Sequence, residues 1–437
     1  MLHFLRNSLL YSIILMPAFT DNNKPWPLLR LVLFRFFAIY LLLYHSPKIL
    51  LPDYWWNAVV TWAGKLLIRR GYEIEYWPAG SGDTTFNYLQ LFCLLILTLI
   101  INCIWWAIDH KRKNDDKAQY WIMTLFRYQL ACIMFGYGIA KVIPTQFTLP
   151  LLYKLDQPFG ESSPMGLAWT FMGASPGYTI FSGIAECIAG LFLLFRRTRL
   201  FGALLCMIVM ANVMALNFFY DICVKLFSTH LFISALFLIT PDLSRIGRFF
   251  FLHQTVAPAN EYRPVYRRKW LRYLHTGTKY SVIAGLLYYL VATGFYQHRY
   301  LLKSTSTGPL YGSYEVISYN RIPTPADSRL LRPTTPSPQW KNIYFEKGNL
   351  VLFKDTTGDV AGVHVVIDTL LHKVNWRMGK DSDSTRIHYT ILQSNQLVLQ
   401  GHIAGDSVQL TLRKKDTDHY LLMTRGFHWV NEFGLNK

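Results

Sequence analysis

Charge is what this sequence has least of. Asp, Glu, Lys and Arg make up 16% of its 437 residues, where a soluble domain carries about a quarter. That shortage excludes an ordinary water-soluble globule and points to a chain that meets hydrocarbon. Acidic residues are the scarcer sign, 26 against 44 Lys and Arg, giving a net charge of +18. Cysteine is sparse as well. The six, Cys93, Cys103, Cys132, Cys187, Cys206 and Cys223, include no CxxC pair, and none lies beyond residue 300. A disulfide framework in that region is therefore excluded, dithiol exchange has no motif, and the thiols read as buried apolar groups. There is no HExxH, no P-loop and no dinucleotide fingerprint behind a strand, and no GxSxG nucleophile motif is expected.

Long apolar runs are what the sequence has instead. Seven approach the ~20 residues a helix needs to cross hydrocarbon, near 28–46, 86–108, 120–142, 176–195, 199–219, 222–240 and 279–297. Beyond residue 300 they stop and the texture turns polar and alternating. The basic runs KRK (111–113), RRTR (196–199) and RPVYRRKWLR (263–272) fall in alternate loops, the positive-inside pattern rather than a nucleic-acid surface. Loops 109–118, 196–199 and 241–279 hold fifteen Lys and Arg against five in loops 46–85, 143–175 and 219–224. The expected orientation is an N-terminus in the cytoplasm and residues 300–437 outside. Residues 1–20 lack a small-x-small cleavage site before Asp21 and read as an interfacial amphipathic helix, with an eighth span as the alternative.

Three parts follow: 1–27 as an N-terminal segment, 28–299 as a membrane helical bundle, and 300–437 as an all-β extracytoplasmic domain. In the loops, YWWNAVVTWAGKLLIRR (54–70) has the spacing of a helix lying on the membrane surface. Segment 143–175, low in charge and rich in Pro and Gly, reads as re-entrant or packed at the outer mouth. In the last part, SVQLTLRK (407–414) alternates with period two. So do runs at 311–320, 341–346, 349–354, 362–368, 386–392 and 396–403, with 419–429 as the last. About eight antiparallel strands joined by short turns predict a small up-and-down barrel or sandwich.

Ionisable residues inside apolar helices are expensive and mark a partner or a function. In FYDICVKLFSTHL, Asp221, Lys225 and Ser228 share one helical face, so Asp221 is expected either to cap the helix or to neutralise Lys225. His45, Lys141 and Asn217 end spans on the same side and are expected to line one outer vestibule with them. Glu186, Asn212, His230 and Arg127 lie deeper, with Glu186 expected to pair with Arg127 or His230. Interhelical hydrogen bonds holding the bundle explain each of these singly about as well. Arg35 is expected to snorkel or to pair inward, and His45 with His230 is the one histidine pair worth testing for haem.

Spans three to six resemble the DoxX-like membrane proteins, a four-helix unit. The matching pieces are RYQLACIMFGYGIAK (127–141) and SGIAECIAGLFLLFRRTRLFGALL (182–205), with Arg127, Gly136, Gly138, Lys141, Glu186 and Gly190 at the pattern's positions. The chain as a whole is similar to larger bacterial members with an extra outer domain, and GSYEVISYN resembles the first strand of a lipocalin-like barrel. YGIAKVIPTQF (137–147) resembles, more faintly, a helix end of vitamin K-dependent carboxylase-like proteins, where Lys141 would be an active base. The first resemblance implies a quinone-linked or membrane-complex role, although the cysteine pair of redox relatives is missing here. The expected function is binding a lipid, quinone or exported partner at the outer membrane face through Arg127, Lys141, Glu186, Asn212, Asn217, Asp221, Lys225 and His230. The alternative is a membrane enzyme, redox or carboxylase-like, acting on a lipophilic substrate through Lys141, Asp221, Lys225 and Glu186. A proton-coupled transporter using Glu186 and His230 is the least supported, since no internal repeat is visible.

Overall fold

The structure, a computed structural model, describes residues 25–46, 52–68, 82–109, 114–258, 262, 268–322, 340–376, 385–392, 395–403, 406–417, 420–433 and 435. The expected interfacial helix at 1–20, the KRK run at 111–113 and residues 263–267 of the third basic run lie outside them.

The apolar runs form helices: α1 Leu28–His45, α2 Asp53–Ile68, α3 Thr85–Ile108, α4 Asp116–Val142, α5 Pro164–Ala174, α6 Pro176–Leu194, α7 Arg199–Phe219, α8 Lys225–Ile239, α9 Leu243–Phe250 and α10 Lys269–Ser304. Their ends follow capping chemistry. Thr84 and Asn87 close a reciprocal capping box on α3, and Ser163 caps α5 ahead of Pro164, whose missing N–H needs no partner there. Six segments among the described residues are long and apolar enough to cross a membrane: Leu28–His45, Thr85–Ile108, Asp116–Val142, Pro176–Leu194, Arg196–Phe219 and Lys225–Phe250. The chain is thus a multi-pass membrane protein. The seventh expected span falls within α10, which is 36 residues long, but its tyrosines, among them Tyr280, Tyr288, Tyr289 and Tyr296, dilute the apolar run.

The chain divides into two compact units, Met1–Val142 with Ile180–Ala292, and Ile143–Thr179 with Thr293–Lys437. In the first, α2 buries Trp56 and Val60 against Ile39, Leu43, Phe86 and Leu89. Its other face leaves Tyr54, Trp55 and Trp62 exposed, the amphipathic division that its spacing predicts. Arg35 turns inward, its Nε donating to Asp115 Oδ2 at 2.7 Å.

The second unit contains eight antiparallel strands closed into an up-and-down barrel in sequence order: β1 Gly312–Ile322, β2 Trp340–Phe345, β3 Leu350–Asp355, β4 Val360–Asp368, β5 Lys373–Trp376, β6 Thr385–Leu392, β7 Gln396–Ile403 and β8 Asp406–Lys414. Alternate residues point inward, as the two-residue period requires. Ile343 and Phe345, Val351 and Phe353, Ile387 and Tyr389, and Leu410 and Leu412 fill the interior, the expected filling for eight strands. One expected strand is corrected. The stretch at 419–429 forms a single helical turn, Leu421–Thr424, because β8 already pairs with β1 and closure leaves no edge for another strand. The eighth strand is β5, four residues long and too short to show a period.

Segment 143–175 belongs to this unit. Leu152 is buried with Tyr344 and Leu352 of the barrel. Asp156 accepts hydrogen bonds from Ser313 Oγ at 2.8 Å, Lys415 Nζ at 2.8 Å and Tyr420 Oη at 2.6 Å. Burial alone would raise the Asp156 pKa, but those three donors outweigh it and hold the carboxyl below its usual range. Glu346 shows the opposite balance: burial raises its pKa to about 6, with the Tyr153 amide only partly offsetting it. The native Glu346 carboxyl therefore holds its proton more tightly than the unfolded one. Its contribution to stability is full below about 4.5 and is lost as pH rises through about 6. Glu346→Gln is expected to flatten that slope: between pH 4.5 and pH 7 the full-length parent should lose thermal midpoint relative to the variant. Parallel pH profiles for the two would refute a buried carboxyl.

Candidate functional site

The residues singled out from sequence make separate sets of contacts. They separate into four clusters within the helical unit, and a cavity lies beside one of them.

The first cluster is Lys141 and Glu186. Lys141 Nζ donates to Glu186 Oε1 at 2.6 Å and Oε2 at 2.7 Å, with both residues buried. Neither Arg127 nor His230 is the partner of Glu186. The reason is an axial shift. Antiparallel α6 starts seven residues before its closest approach to the end of α4, so Glu186 in its third turn meets the last turn of α4. Glycines allow the approach. A Cβ at Gly138 would lie 2.5 Å from Cys187 Sγ and 2.7 Å from Gly183 O, and one at Gly183 would lie 2.6 Å from Gly138 O. The two-point contact is a charge-assisted pair between neighbouring spans.

The second cluster answers why an apolar helix begins with ionisable groups. Helix α8 starts at Lys225, not at 222, and Asp221 precedes it in a turn with φ of 50°. Asp221 pairs with Lys225 at 2.7 Å while its side chain stays 82% exposed. It is not the cap. Asp83, 142 positions away in sequence, accepts the Lys225 amide at 2.7 Å and the Leu226 amide at 2.9 Å, satisfying two of the helix's first N–H groups with a negative charge at its positive end. Asn217 is buried and braces the same turn, its Nδ2 donating to Val224 O at 3.4 Å. Asn212 lies on the exposed face of α7 and joins no cluster.

The third cluster surrounds His230. Its Nδ1 lies 2.6 Å from Leu226 O, which accepts only, so that nitrogen carries the proton and Nε2 accepts from Tyr40 Oη at 2.5 Å. Both ring nitrogens are occupied, which leaves none for a haem iron. The ring stacks on Tyr44 with centroids 3.5 Å apart. Ser234 Oγ donates to His230 O, so His45 Nε2 donates to Ser234 at 2.9 Å.

Beside this cluster is a cavity of about 610 Å³, within the 300–1,000 Å³ typical of small-molecule sites. Tyr44, Leu94, Ile133 and Phe227 give it apolar walls, and His45, Asn87, Gln90 and Gln129 bring polar groups to it. Asn87 is engaged in the α3 capping box. The Gln90 and Gln129 side chains make no hydrogen bond to another described residue, although both are half-buried in spanning helices. Sequence reasoning missed these two amides. The signal was present, each being a lone glutamine within an apolar run. Arg127, in the fourth cluster, lies near the middle of α4 and lines a separate pocket with Asp116, Arg196 and Arg199. One formal GxSxG, GASPG at 173–177, sits between two helices rather than after a strand, and Ser175 Oγ accepts from the Tyr178 amide, so no nucleophile elbow forms.

No family model matches the chain, and no solved structure matches it. It is similar to "Uncharacterized protein YwoB" of Bacillus subtilis (strain 168), 36% identical over 121 residues that make up 28% of this chain and 77% of that protein. With that identity over more than three quarters of the relative's length, the chain belongs to the family of YwoB.

Proposed function

We propose that this chain is a DoxX-like protein of the bacterial inner membrane that binds a quinone or similar lipophilic carbonyl compound near the outer face, with the β-barrel as an accessory domain outside. The observation that carries this reading is the pair of unpartnered amides, Gln90 and Gln129, at an apolar-walled cavity in the helical unit. An amide without a partner in a half-apolar setting is unfavourable in proportion to its burial, and a ring carbonyl would accept its N–H while the apolar walls cover the ring. The cavity also involves Gly82 and Leu226, at the end of the bundle from which the basic loops are absent. The outside location of the barrel rests on the loop charges and on α10 as a seventh crossing. At 36 residues that helix is about 54 Å long, and Val282, Val291 and Phe295 on its flanks are exposed, as lipid contact requires.

Full-length protein purified in mild detergent is expected to carry quinone detectable by mass spectrometry. A menaquinone analogue should bind the parent roughly tenfold more tightly than Gln129→Leu, the effect of one lost hydrogen bond. A phosphatase fused after Lys437 should be active in the periplasm. Parental affinity in both Gln90→Leu and Gln129→Leu would overturn the ligand assignment, and a cytoplasm-only reporter working at Lys437 would overturn the orientation.

A further inference from the structure

Arg127 carries an inference independent of the quinone reading, in a separate pocket of the helical unit. Its side chain is buried, with the residue 6% exposed, and its Nε has no hydrogen-bond partner. Its guanidinium lies 4.7 Å from the Tyr128 ring centroid, and no carboxylate among the described residues bonds it. A buried guanidinium without a counter-charge is costly in a membrane protein, so the arrangement is incomplete as it stands.

What faces Arg127 indicates what completes it. It lines a pocket with Arg196, Arg199, Gln119 and Tyr120, and Asp116 is the one carboxylate in the lining. The three arginines come from the first half of α4 and from the turn between α6 and α7, the end of the bundle that carries the basic loops. Two of them are held in place. Arg199 pairs with Asp242, which is also bound by Arg245. Arg196 donates to Tyr262 O at 3.1 Å and lies 5.4 Å over the Tyr120 ring. Asp116 accepts from the Trp26 indole N–H. Three guanidiniums against one carboxylate leave the lining with a net positive charge. The cavity, about 40 Å³, has room for about three waters or one compact oxyanion, and not for a ring. Guanidinium forks match phosphate oxygens two at a time.

We propose that this pocket binds a single phosphate group, with Arg127 as its buried anchor and Arg196 and Arg199 at its mouth. The phosphate comes either from the headgroup of an anionic phospholipid or from a soluble phosphate.

The test uses the full chain in neutral detergent, titrated separately with phosphatidylglycerol, with phosphatidylcholine and with inorganic phosphate, reading the thermal midpoint and bound mass. The parent is expected to gain midpoint with phosphatidylglycerol or with inorganic phosphate. A response to the lipid alone assigns the headgroup, and an equal response to inorganic phosphate assigns the soluble source. Arg127→Gln is expected to weaken binding at least tenfold and, having lost an unpaired buried charge, to melt no lower than the parent when unliganded. Arg196→Gln, at the more open mouth, should weaken binding several-fold and serves if Arg127→Gln fails to fold. Exposed Lys117, near the same end, is the control, and Lys117→Gln should bind as the parent does. Parental affinity in both arginine variants, equal loss in Lys117→Gln, or no midpoint shift with any of the three additions would overturn the proposal.

Discussion

Glu186→Leu is expected to destabilise the protein by about 3–5 kcal/mol, because it leaves the buried Lys141 ammonium without a counter-charge. The two side chains are 9% and 3% exposed, so water does little to replace the lost partner. Lys141→Met in the same chain should restore stability to within ~1 kcal/mol of the parent, since exchanging a whole buried pair for apolar groups is often neutral or better. Unfolding of the three variants in detergent, compared with the parent, gives the coupling directly. Additive losses in the double variant would show that the pair carries no interaction energy. A double variant that is stable yet lacks activity in the cell would move the pair from structure to function.

The second large effect concerns glycines. Gly183→Ala would place a Cβ 2.6 Å from Gly138 O and 2.8 Å from Lys141 Cβ. The first of these is backbone and cannot swing away, so α4 and α6 must part. Overpacking of this kind costs about 1–3 kcal/mol, and here the separation also lengthens the Lys141–Glu186 contact. Gly136→Ala is the internal comparison, because nothing lies within 4 Å of a Cβ there. That change should be neutral or stabilising by up to ~1 kcal/mol from helix propensity. Both glycines lie in spanning helices, but only Gly183 is expected to be needed for packing. Similar melting of the two variants would refute close helix approach as the reason for the glycine.

Much of this architecture was legible in the order of residues. Six of the seven apolar runs are helices long and apolar enough to span, because backbone groups in hydrocarbon must be satisfied within the helix and twenty apolar residues can do little else. The barrel was equally visible. Val408, Leu410 and Leu412 alternate with Gln409, Thr411 and Arg413, and that period already separates an inside from an outside. The short turns also predicted neighbouring strands. The isolated charges and amides were readable as anomalies: Glu186 and Lys141 stood out, and Gln90 and Gln129 could have.

Which anomaly meets which was decided only by tertiary structure. Helical periodicity assigns a residue to a face, but it says nothing about how far one helix slides along the next. The slide of α6 past α4 is what gives Glu186 to Lys141 instead of to Arg127 or His230. Capping chemistry called for an acceptor at the start of α8, and Asp221 was the local choice, yet Asp83 supplies it from 142 positions away. In the second unit, closure of β8 on β1 turned the last alternating run into a helical turn. Asp156 meets Lys415 across 259 positions, although each looks like an ordinary surface charge in its own segment. Local sequence determines which groups need a partner, because desolvation acts on each residue where it stands. The partner itself depends on packing between distant segments, and short-range periodicity carries no information about that.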